Sequence, residues 1–255
     1  MKYFFLFLSF LFLSQFASGC HNEKDSPDTN HIKKKNKFAK KRIKKSHKKR
    51  KKLKRKNHKK KSVSFGKIRI SGRVVHVVDA DTIHILTDGG KIMKCRLDGI
   101  NSPECHKKKA VTIDGRRSSK CRSDDEAWGF KAYLKAKDLM EGKKVSIECD
   151  SDKDKNCITG NYGRSLITVF INKTNINNIL VESGNAFSFT KYPSHNRSLY
   201  CKSEFQARKS RTGMWSLGKT YKDILSLMSY KTRRWYKKHD ELCNIAITMK
   251  GKSGI

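Results

Sequence analysis

The sequence predicts an α+β fold: a small five-stranded β-barrel carrying about three helices, preceded by a lysine-rich arm. Three observations predict it. Short runs of β-branched residues begin near Ile68 and alternate with polar positions. After Ser123 the apolar period lengthens from two toward 3.6. Between residues 33 and 61, about 20 basic side chains crowd a stretch almost empty of large apolar groups, which excludes a core there.

Each element has its own signal. Met1-Lys2 is followed by an apolar run over residues 3–16 and then Ala17-Ser18-Gly19 before Cys20. A membrane span needs about 20 apolar residues, so residues 1–19 read as an export signal ending in small residues fit for a peptidase, with a membrane anchor as the alternative. Residues 20–65 read as a disordered lysine-rich arm. Ile68, Ile70, Val74, Val75, Val77 and Val78 mark one strand, and Ile83, Ile85 and Leu86 a second after Asp79-Ala80-Asp81. Asp88-Gly89-Gly90 makes a hairpin turn into a third strand holding Ile92, Cys95, Leu97 and Ile100. Ser123-Asp124-Asp125-Glu126 reads as a capping box opening a helix through Ala127, Phe130, Leu134 and Leu139, which Gly142 stops. Strands follow at residues 145–147 and 166–171, then a short helix over 176–183 ending at Gly184, and a last one over 199–211 stopped by Gly213. That places the globular domain at residues 66–216. A basic C-terminal extension, residues 217–255, has room for one more helix around Ile224, Leu225, Leu227 and Met228.

The 255 residues carry 59 Lys+Arg against 23 Asp+Glu, a formal charge of +36. Such a surplus repels itself unless a polyanion is near. Nucleic acid is the first candidate partner, an anionic cell surface the second, and the arm suits either, with steeply salt-dependent attachment. Cys20, Cys95, Cys105, Cys121, Cys149, Cys157, Cys201 and Cys243 fit an oxidising, extracellular compartment. Eight cysteines allow 105 pairings, and the two preferred bridges are local: Cys105 with Cys121, closing a basic loop, and Cys149 with Cys157. Lipidation of Cys20 would anchor the chain at the cell surface but leave seven cysteines, an odd number that counts against it. A monomer with no transmembrane span in its mature form is expected.

Three clusters carry chemistry: Asp79-Ala80-Asp81-Thr82, the run from Arg96 through Asp98, Asn101, Ser102 and Pro103 to Glu104, and Tyr162-Gly163-Arg164. Each alone reads as a turn or a solvated strand end. Together they hold what phosphodiester cleavage needs. The transition state concentrates negative charge on phosphorus-bound oxygens, and a guanidinium donates two parallel hydrogen bonds to such oxygens, a role for Arg96 and Arg164. The attacking water must lose a proton, for which Glu104 is the candidate general base. Carboxylate, amide and main-chain oxygens suit the flexible hard-ligand shell of calcium.

These clusters, in this order, resemble the thermonuclease, or staphylococcal nuclease, family over roughly residues 66–216. Ser203-Glu204-Phe205-Gln206-Ala207 and Trp215 resemble the family's last helix and closing tryptophan. The resemblance implies an OB-fold barrel and calcium-dependent endonuclease hydrolysis of DNA, RNA or both without sequence specificity, with one calcium ion. By motif position it implies Arg96 and Arg164 as phosphate-gripping arginines and Glu104 as general base. Asp81 stands as a calcium ligand, Ser102 where a main-chain carbonyl reaches the metal, and Tyr162 beside the nucleotide. Asn101 departs from the pattern, standing where the family usually has an aspartate ligand; it keeps an oxygen and loses a charge. Lys107 and Lys108, with Lys109, Arg116 and Arg117, form a basic loop that either holds flanking phosphates or is simply solvated. Phe189 and Tyr192 line a nucleotide pocket or pack in the core, and the nine histidines show no metal-ligand spacing. The competing reading is a noncatalytic nucleic-acid-binding OB module with a polycationic arm.

Overall fold

The computed structural model describes residues 66–252. The expected export signal, arm and Cys20 lie outside them. Among the described residues no helix is long and apolar enough to cross a membrane.

The barrel is organised by one long strand. β1 (Lys67–Asp79) pairs along its first half with β7 (Lys144–Asp150) and along its second with β2 (Thr82–Thr87), both antiparallel. Gly72 sits where the two pairings overlap. There a Cβ would come within 2.5 Å of the Leu86 carbonyl oxygen, so only glycine admits the crossing. β3 (Ile92–Leu97) follows β2 through the predicted Asp88-Gly89-Gly90 turn, and β8 (Ser165–Ile171) pairs with β7. Parallel pairing of β3 with β8, Cys95 opposite Ser165 and Leu97 opposite Ile167, closes five strands into the expected OB-like barrel. Val74, Val77, Ile83, Ile85, Leu97, Ile147, Ile167 and Val169 fill its interior. Burying each such side chain is worth about 1.5–3 kcal/mol.

Three short strands and a ribbon build the rim. β4 (Ile100–Asn101) is followed by β5 (Cys105–Ile113) and β6 (Arg116–Asp124), a two-stranded ribbon turned at Asp114-Gly115, both with positive φ. The basic loop of the sequence reading is therefore regular hairpin, its root bridged by Cys105–Cys121 as expected. α1 (Gly129–Met140) buries Ala132, Tyr133, Ala136 and Met140 against the barrel. It starts later than the capping-box reading placed it. Trp128 takes the N-cap position with no side-chain cap, and Ser123 and Asp124 are the last residues of β6. Asp124 instead accepts from the Phe130 N–H at 2.6 Å, while Glu126 is drawn into the interior by other donors.

β9 (Thr174–Asn175) leads into α2 (Ile176–Glu182), capped by Asn175, and β10 (Phe187–Ser188) pairs with β4. α3 (Arg197–Lys209) then packs on α2. Among the described residues the C-terminal segment holds three helices where one was expected: α4 (Tyr221–Ser226), α5 (Tyr230–Trp235) and α6 (His239–Lys252). Ile224, Met228 and Tyr236 from this segment join Phe187, Ala207, Met214 and Trp215 in a second apolar core. Cys201–Cys243 fastens α6 to α3, and Cys149–Cys157 forms as expected. Beside Cys201–Cys243, Glu204 is fully buried, receiving Ser188 Oγ–H at 2.7 Å, His239 Nε2 at 3.1 Å and the Arg208 guanidinium.

Candidate active site

The site forms where the β1–β2 turn meets the end of β3. Asp79 pairs with Thr82 across the turn, and its Oδ1 accepts the Asp81 N–H at 3.2 Å. Because Thr82 lies opposite Arg96 in the β2–β3 ladder, the guanidinium reaches over Asp81. Arg96 Nη1 pairs with Asp81 Oδ1, and Nη2 donates to Asn101 Oδ1 at 2.8 Å and to the Ile100 carbonyl at 3.2 Å. Ser102 donates to Asp81 Oδ2 twice, from its N–H at 2.8 Å and its hydroxyl at 3.1 Å. β10 holds this loop from behind, Phe187 opposite Asn101, with the Phe189 N–H donating to Gly99 at 2.7 Å.

Arg164 enters from the turn before β8. Its Nη1 donates to Thr82 Oγ1 at 3.0 Å, and that hydroxyl donates in turn to Asp81 Oδ1 at 3.0 Å. The two arginines thus converge on the Asp81-Thr82 pair. Tyr162 is 91% exposed with φ of 64°, its ring centre 5.5 Å from the Arg164 guanidinium carbon.

Glu104 joins the group indirectly. Its half-exposed carboxylate pairs with Lys107 Nζ at 3.5 Å, and the same ammonium pairs with Asp79. It makes no ion pair with either arginine. Lys107 is therefore turned inward, whereas Lys108 stands exposed on the ribbon without an acidic partner among the described residues.

The electrostatics follow from burial. Loss of water pushes the Asp81 carboxyl up to about 7, with Arg96 opposing and Asp79 reinforcing the rise. Burial pushes Asp79 the same way, but Lys107 and Arg96 outweigh it and hold that carboxyl below its usual range. His84 in the barrel wall is pushed down to about 4 by burial and the charges on His76 and Lys94, and is neutral at ordinary pH.

The donor set can be tested against a hard cation. Asp79, Asp81, the Asn101 amide and the Ser102 carbonyl and hydroxyl offer only oxygens, which fits calcium rather than a thiophilic metal. Two carboxylates supply the charge. Among the described residues no three His, Cys, Asp or Glu side chains gather at one point, so neutral oxygens would have to complete the shell.

Two neighbours of the site carry no local signal in the sequence. Glu126, read as a helix cap, is buried behind Glu104 and accepts its N–H at 2.9 Å. Tyr236, in the C-terminal segment, is buried, and burial with the charge on Glu204 pushes its hydroxyl well above the usual range, Arg96 opposing and Asp81 adding to the rise.

Residues 94–217 match the family model described as staphylococcal nuclease homologue. An uncharacterized protein of Methanocaldococcus jannaschii is 30% identical over 154 residues, 57% of this chain and 71% of that protein. An uncharacterized endonuclease of Haemophilus influenzae is 30% identical over 144 residues, covering 56% of this chain and 65% of its own length. A micrococcal nuclease of Shigella flexneri is 27% identical over 154 residues, 57% and 73% of the two chains.

Proposed function

The chain belongs to the staphylococcal nuclease homologue family, and from that premise we propose that it is a nuclease, a calcium-dependent endonuclease that hydrolyses DNA, RNA or both without sequence specificity. The observation that carries this reading is the convergence of Arg96 and Arg164 on Asp81 and Thr82 at one rim of the barrel. Two guanidinium groups so placed can grip a single phosphodiester from two sides and hold the charge that grows on its oxygens.

In this reading Asp81, Asn101 and Ser102 hold one calcium ion, which when bound supplies Lewis-acid stabilisation to the phosphate. Glu104 takes the proton from the attacking water, its half-exposed carboxylate open to solvent on one side and checked by Lys107 on the other. For that transfer the Glu104–Lys107 pair has to loosen as substrate binds. Tyr162, with its exposed ring, lies along the nucleotide; Lys108, exposed on the ribbon, meets neighbouring phosphates, and Lys107 joins it only once it leaves Asp79 and Glu104. Export into an oxidising compartment is part of the proposal and is supported by three disulfides. The basic arm holds polymer or an anionic cell surface, and the enzyme works as a monomer.

Purified chain incubated with DNA and calcium tests this: breakdown that stops with chelator is expected, and cleavage persisting in excess chelator contradicts the metal role. Glu104→Gln should lower turnover by orders of magnitude with the fold intact. A second reading, a binding module without chemistry, is favoured by Asn101 and by the absence of a Glu104–arginine pair. It predicts tight DNA binding with no breakdown in the same assay.

A further inference from the structure

Glu126 is almost wholly buried, at 3% exposure, and among the described residues has no ionic partner. Its carboxylate is satisfied by three neutral donors from two distant parts of the chain. Oε2 accepts the Glu104 N–H at 2.9 Å; Oε1 accepts the Thr232 hydroxyl at 2.6 Å and the Ser229 N–H at 2.9 Å. The return bond runs through the backbone, Glu126 N–H donating to the Glu104 carbonyl at 2.8 Å. Residue 126 therefore holds both polar groups of residue 104's main chain. Gly129 closes the third side: a Cβ there would lie 2.1 Å from the same carbonyl oxygen. A buried carboxylate left without one of its donors is destabilised, and because one carboxylate serves both ends, the position of Ser229 and Thr232 is felt at Glu104.

Ser229 and Thr232 sit at the start of α5, beyond the family-matched residues 94–217. Their segment is itself fixed to the barrel side by Cys201–Cys243, by Arg208 with Asp240 at 2.7 Å, and by Tyr236 against Phe187. We propose that Glu126 is a positioning residue that couples the docked C-terminal helices to Glu104, so that residues 221–252 set the placement of the carboxylate assigned as the base. The kinetic part rests on the nuclease reading; the coupling itself does not.

Two measurements on the full chain test it. Thr232→Val removes the hydroxyl donor and keeps the volume; Glu126→Gln keeps one acceptor oxygen but turns an N–H₂ donor toward N–H or O–H donors. With calcium and DNA, both variants should lose kcat about tenfold to a hundredfold at unchanged KM, the scale expected when a catalytic group is displaced by an ångström. Thr232→Ser keeps the donor and should keep the rate. Hydrogen exchange at the Glu104 amide should show protection lost in Thr232→Val and Glu126→Gln and retained in Thr232→Ser. Wild-type kcat together with a protected amide in both variants overturns the proposal, as does Thr232→Ser falling as far as Thr232→Val, which would assign the effect to packing. If the wild-type chain cleaves nothing, the nuclease reading fails and the exchange pattern alone decides the coupling.

Discussion

Arg96 donates to the side-chain oxygen of Asn101 at 2.8 Å while its other terminal nitrogen pairs with Asp81. The amide oxygen is thus aimed into the cluster it was expected to serve, and it carries no charge there. Asn101→Asp should restore one. Calcium affinity measured by titration calorimetry is expected to rise about tenfold to a hundredfold, one to two steps of about 1.4 kcal/mol. Unchanged affinity would mean that residue 101 does not face the cation.

Arg164 and Arg96 differ in their partners within the protein. Arg164 touches Thr82 and the Asn161 carbonyl, at 3.0 and 3.5 Å, and neutralises no buried carboxylate. Arg164→Lys should cut kcat about a hundredfold to a thousandfold, since an ammonium cannot replace a two-pronged donor, with the melting temperature unmoved. Arg96→Gln should lose activity and stability together, about 3 kcal/mol on denaturant titration, because it strands the buried Asp81. Equal stability of the two variants would contradict this division.

Acid should loosen the C-terminal side. Burial raises the Glu204 carboxyl, but the charges on His239 and Arg208 and their hydrogen bonds outweigh it, taking it from 4.5 down to about 2. A carboxyl lowered in the folded state adds stability that is complete above its unfolded value and is lost as pH falls through the folded one. The melting temperature should therefore drop between about pH 4.5 and 2, and Glu204→Gln, less stable at neutral pH, should show a flatter profile across that window. Identical slopes would remove Glu204 from the account.

Cys201–Cys243 closes a separation of 42 residues, for which the entropy of loop closure implies about 4 kcal/mol. The double Cys→Ser variant should melt well below the parent, with exchange protection lost first in α5 and α6. Uniform loss across the barrel would mean that the two parts unfold as one.

The barrel was legible because its signals are local. Alternating Val and Ile, the Asp88-Gly89-Gly90 turn and the stops at Gly142, Gly184 and Gly213 each act within a few residues. The start of α1 was not, because Ser123-Asp124-Asp125-Glu126 has the letters of a cap while tertiary donors at Glu104 and Thr232 claim the glutamate. The C-terminal helices were hidden for a related reason. α4 and α5 are six residues each, too short to repeat an apolar period, and Ile224, Met228 and Tyr236 find their partners far back in the chain, in Phe187, Ala207, Met214 and Trp215. In the site, the motif order pointed to Asp81, Arg96, Asn101, Ser102 and Arg164. Nothing in the order foretold that Lys107 would turn inward between Asp79 and Glu104, because that depends on how the ribbon leaves the barrel.

Among the described residues no third strand pairs with either outer edge of the β5–β6 ribbon. Such edges invite a neighbouring molecule to add strands and grow a fibre. Lys108, Lys109, Arg116, Arg117 and Arg122 keep copies apart by mutual repulsion, so the chain's colloidal behaviour hangs on the same cations that would greet a polyanion. Concentrated salt, which screens that repulsion, should make the protein self-associate through the hairpin.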